Sequence, residues 1–135
     1  MGGNEEVILL DTHVLAWLTT DSRKLSRHAS SAIRRASRAG GVGISAITLW
    51  ELSWLVAHQR MMIRGTLESY LEEVSGVVAV HPITAKVAAL ATQFPSDYSN
   101  DPCARLIGAT ALAEGIVLVT RDEKIRSFPG LQTLW

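Results

Sequence analysis

Four carboxylates lie far apart in the sequence, at positions from which they could act together. Asp11 directly follows the apolar run 7–10, and Asp122 comes shortly after the apolar run 116–120. Glu51 sits among Ile47, Leu49, Trp50, Leu52 and Trp54, and Asp101 precedes Pro102. Hard divalent cations such as Mg2+ and Mn2+ prefer carboxylate and water oxygens. A carboxylate cluster that holds one or two of them can orient water for in-line attack on a phosphodiester and offset charge on the attacking and leaving oxygens. No rival constellation competes, since the chain has no GxxxxGK(S/T) phosphate loop, no GxSxG and no HExxH.

Each acid also has a purely structural explanation. Asp11 can cap a helix starting at Thr12, and Asp122 in TRDEK can be a turn acid. Asp101 before Pro102 reads better as an N-cap than as a ligand, because proline is favoured at the first helical position. Glu51 points to function more strongly, since a carboxylate in so apolar a helix is costly unless paired or ligating. The case for a site therefore rests on whether the fold brings all four to one place.

The elements that must do this alternate. Residues 7–10, 42–45, 77–80 and 116–120 read as buried strands, with a short last strand at 131–134. Residues 12–20, 25–39, 46–58, 65–75, 84–94 and 101–114 read as helices, with 122–127 a turn or short helix. Gly40, Gly41 and Gly115 supply helix stops. Alternation of this kind, with fully apolar strands, implies a parallel sheet covered on both faces. Ligands then collect at the carboxyl ends of the strands. Asp11, Asp101 and Asp122, at strand ends and a helix start, would share that rim with Glu51.

Composition agrees with one compact domain spanning residues 1–135: 47% of residues are hydrophobic and 19% charged. Lys+Arg 13 balances Asp+Glu 13, so any nucleic-acid contact must come from local patches. The single cysteine, Cys103, excludes an internal disulfide and fits a reducing compartment. The opening residues lack the features of a signal peptide, and no apolar run is long enough to span a bilayer. A soluble, cytoplasmic protein with no membrane partner is expected.

At this point the motifs resemble those of the PIN-domain family, especially its VapC-type toxins. LLDTHVLAW resembles the first family motif, SAITLWEL the second, DPCARLIGATALAEG the third and LVTRDEKI the fourth, and FPGLQTLW resembles the usual close. Order, spacing and length all fit, so the resemblance covers nearly the whole chain. It implies a three-layer α/β/α sandwich with a central, mainly parallel sheet. It also implies an endoribonuclease dependent on Mg2+ or Mn2+ that cuts structured RNA such as tRNA or rRNA. The family further implies a homodimer and neutralisation by a VapB-type antitoxin whose C-terminal segment lies over the acidic site. By this resemblance Asp11, Glu51, position 104 and Asp122 form the catalytic and metal set, with Asp101 assisting at most. Thr12, Ser45 and Thr48 are accessory hydroxyls that could orient a ligand or the water.

One position departs from the pattern. The third family motif carries a second Asp as a metal ligand where this chain has Ala104, followed by Arg105, Leu106 and Ile107. A carboxylate in the first turn of that helix would be favoured by the positive helix end. A methyl group leaves the site one charge and one ligand short, so little RNase activity is expected. Ala104 is either an introduced change or the mark of a natural inactive relative, and retention of the other three acids and of Arg105 favours the former. The alternative function is a non-catalytic module that binds RNA or antitoxin. A phospho-aspartate hydrolase is disfavoured, because the sequence Asp11-Thr12-His13 lacks the second acid such enzymes use.

The remaining features divide similarly. Arg23, Lys24, Arg27, Arg34, Arg35 and Arg38 form either a solvated helix face or an RNA-backbone contact. Arg105 and Arg121 flank the acids and could hold phosphates, meet an antitoxin, or pair with the carboxylates. Trp17 reads as packing, whereas Trp50 and Trp54, one turn apart, form a stripe suited to a dimer or antitoxin interface. The four histidines are given no catalytic role, and Cys103 is read as a buried thiol.

Overall fold

The computed structural model describes residues 6–135. The reading of the opening segment rests largely on residues 1–5, which lie outside that range. Five short strands pair in parallel in the order β3-β2-β1-β4-β5: β1 (Ile8–Leu10), β2 (Val42–Ser45), β3 (Ala79–His81), β4 (Val117–Val119) and β5 (Thr133–Leu134). β1 is central, with Leu10 opposite Val119 of β4 and Leu9 opposite Gly43 of β2. Residues 8–10 and 117–119 are buried throughout, as strands covered on both faces must be.

Alternation along the strands assigns side chains to two cores. Ile8, Leu10, Val117 and Val119 point into one, with Val14, Leu15, Ala29, Ile33, Leu52 and Val74. These come from α1 (Thr12–Thr20), α2 (Arg27–Arg38), α3 (Ala46–Ala57) and α4 (Leu67–Val77). Leu9 and Leu118 point into the other, against α5 (Ala85–Ala91), α6 (Pro102–Glu114) and α7 (Glu123–Arg126). The result is the three-layer α/β/α sandwich expected, with an all-parallel sheet. α3 bridges the layers: Leu52 joins the first core while Ile47 packs on the second. Glu51 lies between them on that helix. No helix among the described residues is long and apolar enough to cross a membrane.

Boundaries differ from the sequence expectation at several places. The apolar run 77–80 is not a strand throughout: α4, capped by the Thr66 hydroxyl, runs through Val77, and β3 begins at Ala79. The segment read as helix 25–39 opens instead with a 3-10 turn at Ser22–Lys24, and α2 starts after the Ser26 cap. Helix 84–94 ends at Ala91. α6 begins and ends as expected, with Asp101 as N-cap, Pro102 in the first turn and Gly115 closing it at φ 66°.

Candidate active site

The carboxyl ends of β1 and β4 are adjacent, so the residues just beyond them meet. Asp11 caps α1, its Oδ1 accepting from the Thr12 N–H at 2.9 Å. Its Oδ2 accepts from the Thr120 hydroxyl at 2.7 Å. The same Thr120 oxygen accepts from the Asp122 N–H at 3.1 Å, so one fully buried threonine joins the two acids. Asp122 then caps α7, accepting from Lys124 and Ile125 N–H groups at 2.9 and 3.3 Å.

Glu51 reaches the same rim from α3. Its Oε1 accepts from the Thr12 hydroxyl at 2.5 Å, and that hydroxyl lies 3.0 Å from the Thr48 hydroxyl. Since the single Thr12 proton goes to Glu51, Thr48 must donate to Thr12. Thr48, Thr12 and Glu51 thus form a directed chain of hydrogen bonds through buried hydroxyls. The buried Ser45 hydroxyl caps α3, accepting from the Ile47 N–H.

Charge at this rim is held against resistance. Burial pushes the Asp11 carboxyl above its ordinary value, the Thr120 and Thr12 hydrogen bonds and His13 oppose this, and the Asp122 charge adds to it. Burial also raises Glu51, opposed by Thr12 and His13 and reinforced by the Asp101 and Asp11 charges. Burial and the Glu51 and Asp101 charges push the Cys103 thiol up to about 12. Asp11 therefore feels the Asp122 charge, and Glu51 feels those of Asp11 and Asp101. Asp101 also caps α6, accepting from the Cys103 N–H at 3.3 Å.

Three participants were missed by reading types and spacing. Thr120 looked like the end of an apolar strand. His13, set aside with the other histidines, lies close enough to both carboxylates to favour their charged forms. Cys103, read as an inert buried thiol, faces Glu51 and is half-buried. Only Thr120 left a usable signal, since a Thr two residues before an Asp forms a local side-chain turn.

Ala104 occupies the third position of α6 and is almost buried, among the apolar residues of the second core. Its carbonyl accepts from the Tyr98 hydroxyl at 3.0 Å. Arg105 does not face the acids. Its guanidinium donates to the carbonyls of Ser99, Phe94, Pro95 and Ala91 at 2.6, 2.9, 3.1 and 3.3 Å, tying down the segment before α6. Arg121 stays at the rim, 5.8 Å above the Trp17 ring. Trp50 and Trp54 are exposed, at 57% and 39%, while the arginines of α2 point outward from a face buried at Ala29, Ala32, Ile33 and Ala36.

The carboxylates and hydroxyls at the rim offer oxygen donors that suit a hard cation in kind. They fall short in number: among the described residues no three His, Cys, Asp or Glu side chains converge closely enough to hold a metal ion. Two pockets open beside the acids. One, of about 320 Å³, is lined by His13, Trp50, Glu51, Trp54, Leu55 and Arg60. The other, of about 340 Å³, is lined by Asp11, His13, Val14, Trp17, Arg121 and Asp122. A larger cavity of about 760 Å³ between the end of α1 and α4 contains none of the four acids.

Residues 8–131 match the PIN domain. The chain is 38% identical over 130 residues to Ribonuclease VapC22 of Mycobacterium tuberculosis, covering 95% of this chain and 98% of that protein. Among solved structures it is similar to VapBC2 from Rickettsia felis bound to a promoter DNA fragment, with a TM-score of 0.73 at 18% identity over 95% of this chain and 97% of that one. It also resembles FitAcB from Neisseria gonorrhoeae, with a TM-score of 0.68 at 22% identity over 95% and 96% of the two chains. At such identities these structures speak for the fold alone.

Proposed function

Because this chain belongs to the PIN-domain family, in its VapC-type branch, we propose that it is the toxin of a toxin–antitoxin pair, built as an endoribonuclease for structured RNA such as tRNA or rRNA. The observation that carries the reading is the rim itself: Asp11 and Glu51 are both desolvated, and are held by Thr120 and Thr12 while neighbouring charges oppose them. Such an arrangement costs stability, and a fold keeps it for function.

Asp11, Glu51 and Asp122 would hold Mg2+ or Mn2+, with Asp101 at the edge, and a carboxylate at position 104 would complete the set. When bound, such a metal supplies an activated water and stabilises charge on phosphate oxygens. The chain's own residues fix the geometry. Thr120 holds Asp11 and the start of α7 together, and the Thr48–Thr12 chain aims Glu51. With Ala104 the site lacks one ligand, so this chain is inactive or nearly so. The VapBC assemblies among its structural neighbours support an antitoxin as partner, and we read the chain as a cytoplasmic homodimer on the family resemblance.

The test is cleavage of total tRNA and rRNA with Mg2+ or Mn2+ by this chain and by Ala104→Asp, each with and without EDTA. Only the Asp variant should cut, and EDTA should stop it. If both proteins fold and bind RNA yet neither cuts, the chain is a binding module.

A further inference from the structure

Six of the 13 lysines and arginines, Arg23, Lys24, Arg27, Arg34, Arg35 and Arg38, fall within residues 22–38. No acid occurs between Asp21 and Glu51, so that segment carries +6, and the rest of the chain, with seven cations and all 13 acids, carries −6. The chain is neutral as a whole but divided in sign. Arg23 is paired with Asp21, and Arg35 donates to the Ser31 hydroxyl. Arg27, Arg34 and Arg38 make no ion pair among the described residues.

Residues three and four apart share a helix face, so Arg27, Ser31, Arg34 and Arg38 form one stripe along α2, about 16 Å from end to end. The three arginines are exposed, and the buried Ala29, Ala32, Ile33 and Ala36 occupy the opposite side. Two features of the stripe work against the helix. Arg27 opens α2 with no acid in its first turn, where the positive helix end disfavours a cation. Arg34 and Arg38 are a like-charge pair one turn apart. A face kept in spite of that repulsion suits an anion laid along it. Residues 18–49 contain no Phe, Tyr or Trp, so α2 offers no ring on which an unpaired base could stack. It offers guanidinium forks, which fit phosphate oxygens. An RNA duplex turns its phosphates outward on a rigid helix while its bases stay stacked and closed. The negative rim opposes the approach of a polyanion, so a nucleic acid needs an anchor of opposite sign elsewhere on the chain.

We propose, on the nuclease reading above, that the outer face of α2 is a docking surface for the phosphate backbone of a double-stranded arm of the RNA substrate. Arg27, Arg34 and Arg38 each meet a phosphate. The contact reads no bases. It holds a folded RNA by its stem, apart from the acidic rim, and leaves the choice of cleavage point to the rim.

The experiment is fluorescence anisotropy with a fluorescein-labelled RNA duplex, a DNA duplex of the same sequence and an oligouridylate, in EDTA, on the chain as it stands. The RNA duplex should bind most tightly. Arg27→Gln, Arg34→Gln and Arg38→Gln should each weaken it about fivefold and lower its log–log salt slope by about one, and the triple variant should weaken it about a hundredfold. Lys86→Gln, on α5, should change neither quantity, and all variants should keep their Tm. In cleavage by Ala104→Asp, the triple variant should raise KM for a hairpin RNA at unchanged kcat and leave a short unpaired substrate unaffected. RNA duplex binding that the triple variant leaves unchanged, or that Lys86→Gln lowers equally, overturns the proposal. A DNA duplex bound as tightly as the RNA duplex overturns the assignment to an RNA arm. Cleavage of the hairpin with KM indifferent to the triple variant overturns the docking surface and leaves the nuclease reading standing. RNA duplex binding lost in the triple variant, with no RNA ever cut, overturns the nuclease reading and leaves the docking surface standing.

Discussion

At the scale of single residues, Asp11 and Glu51 carry a conflict that can be measured. Their ordinary values are 3.8 and 4.5, and both are raised in the folded protein, by burial first. A carboxyl whose folded value lies above its unfolded value stabilises the fold only while protonated. That contribution is fully present below the unfolded value and is lost as pH rises through the folded one. At neutral pH both groups therefore hold the fold back. Asp11→Asn keeps a capping side chain and Glu51→Gln keeps an acceptor for Thr12, so Asp11→Asn should stabilise the metal-free protein by about 0.5–2 kcal/mol at pH 7 and Glu51→Gln, whose carboxyl is partly screened by solvent, by less. Urea unfolding at several pH values would show it. The gain should shrink toward zero as pH falls below the ordinary carboxylate range, and a gain that grows on acidification would contradict the assigned direction.

At the scale of elements, the segment between α5 and α6 has no regular structure of its own and is held by one side chain of α6 and one of its own. Arg105 donates to three of its carbonyls and to that of Ala91 at the end of α5, and Tyr98 docks on α6 with its hydroxyl on the Ala104 carbonyl. Gly108 allows that docking, since a Cβ there would stand 2.1 Å from the Tyr98 hydroxyl and 3.0 Å from its ring carbon. Gly108→Ala should cost about 1–3 kcal/mol through overpacking. Tyr98→Phe should cost about 1 kcal/mol alone by losing one hydrogen bond, yet partly relieve the alanine in the double variant. Thermal unfolding of the four proteins gives the coupling, and strict additivity would place the clash elsewhere. Elements were legible in the sequence where local rules decide them. Asp101-Pro102 and Gly115 mark both ends of α6. The run 77–80 misled because its apolar composition suits a strand, whereas the Thr66 cap lets α4 continue through an exposed Val77. The carbonyl partners of Arg105 and the bond from Thr120 to Asp11 were beyond sequence reasoning for another reason: they are set by how α6 meets α5, and β4 meets β1.

At the scale of the whole molecule, the parallel sheet places three chain segments at one rim, and α3, spanning both cores, supplies the fourth acid. The sequence revealed this much because parallel topology fixes which strand ends share an edge. It did not reveal that the acids stop short of a metal cage, since that depends on separations of a few ångströms. The shortfall and Ala104 make a joint prediction about folding and metal. Ala104→Asp adds a negative charge at a buried position in the first turn after the Asp101 cap, so without metal it should lower stability by about 1–3 kcal/mol. Binding to the folded state alone stabilises by RT ln(1 + [L]/Kd), about 2.7 kcal/mol at a hundredfold excess over Kd. Mg2+ or Mn2+ should therefore recover most of that loss in the Asp variant and raise its Tm by several degrees. The present chain, with Ala104, should gain little. Calorimetry of both proteins with EDTA and then with excess Mg2+ separates the cases. Equal gains in both would mean that position 104 contributes nothing to the metal, and the third-motif departure would then have to act on RNA instead.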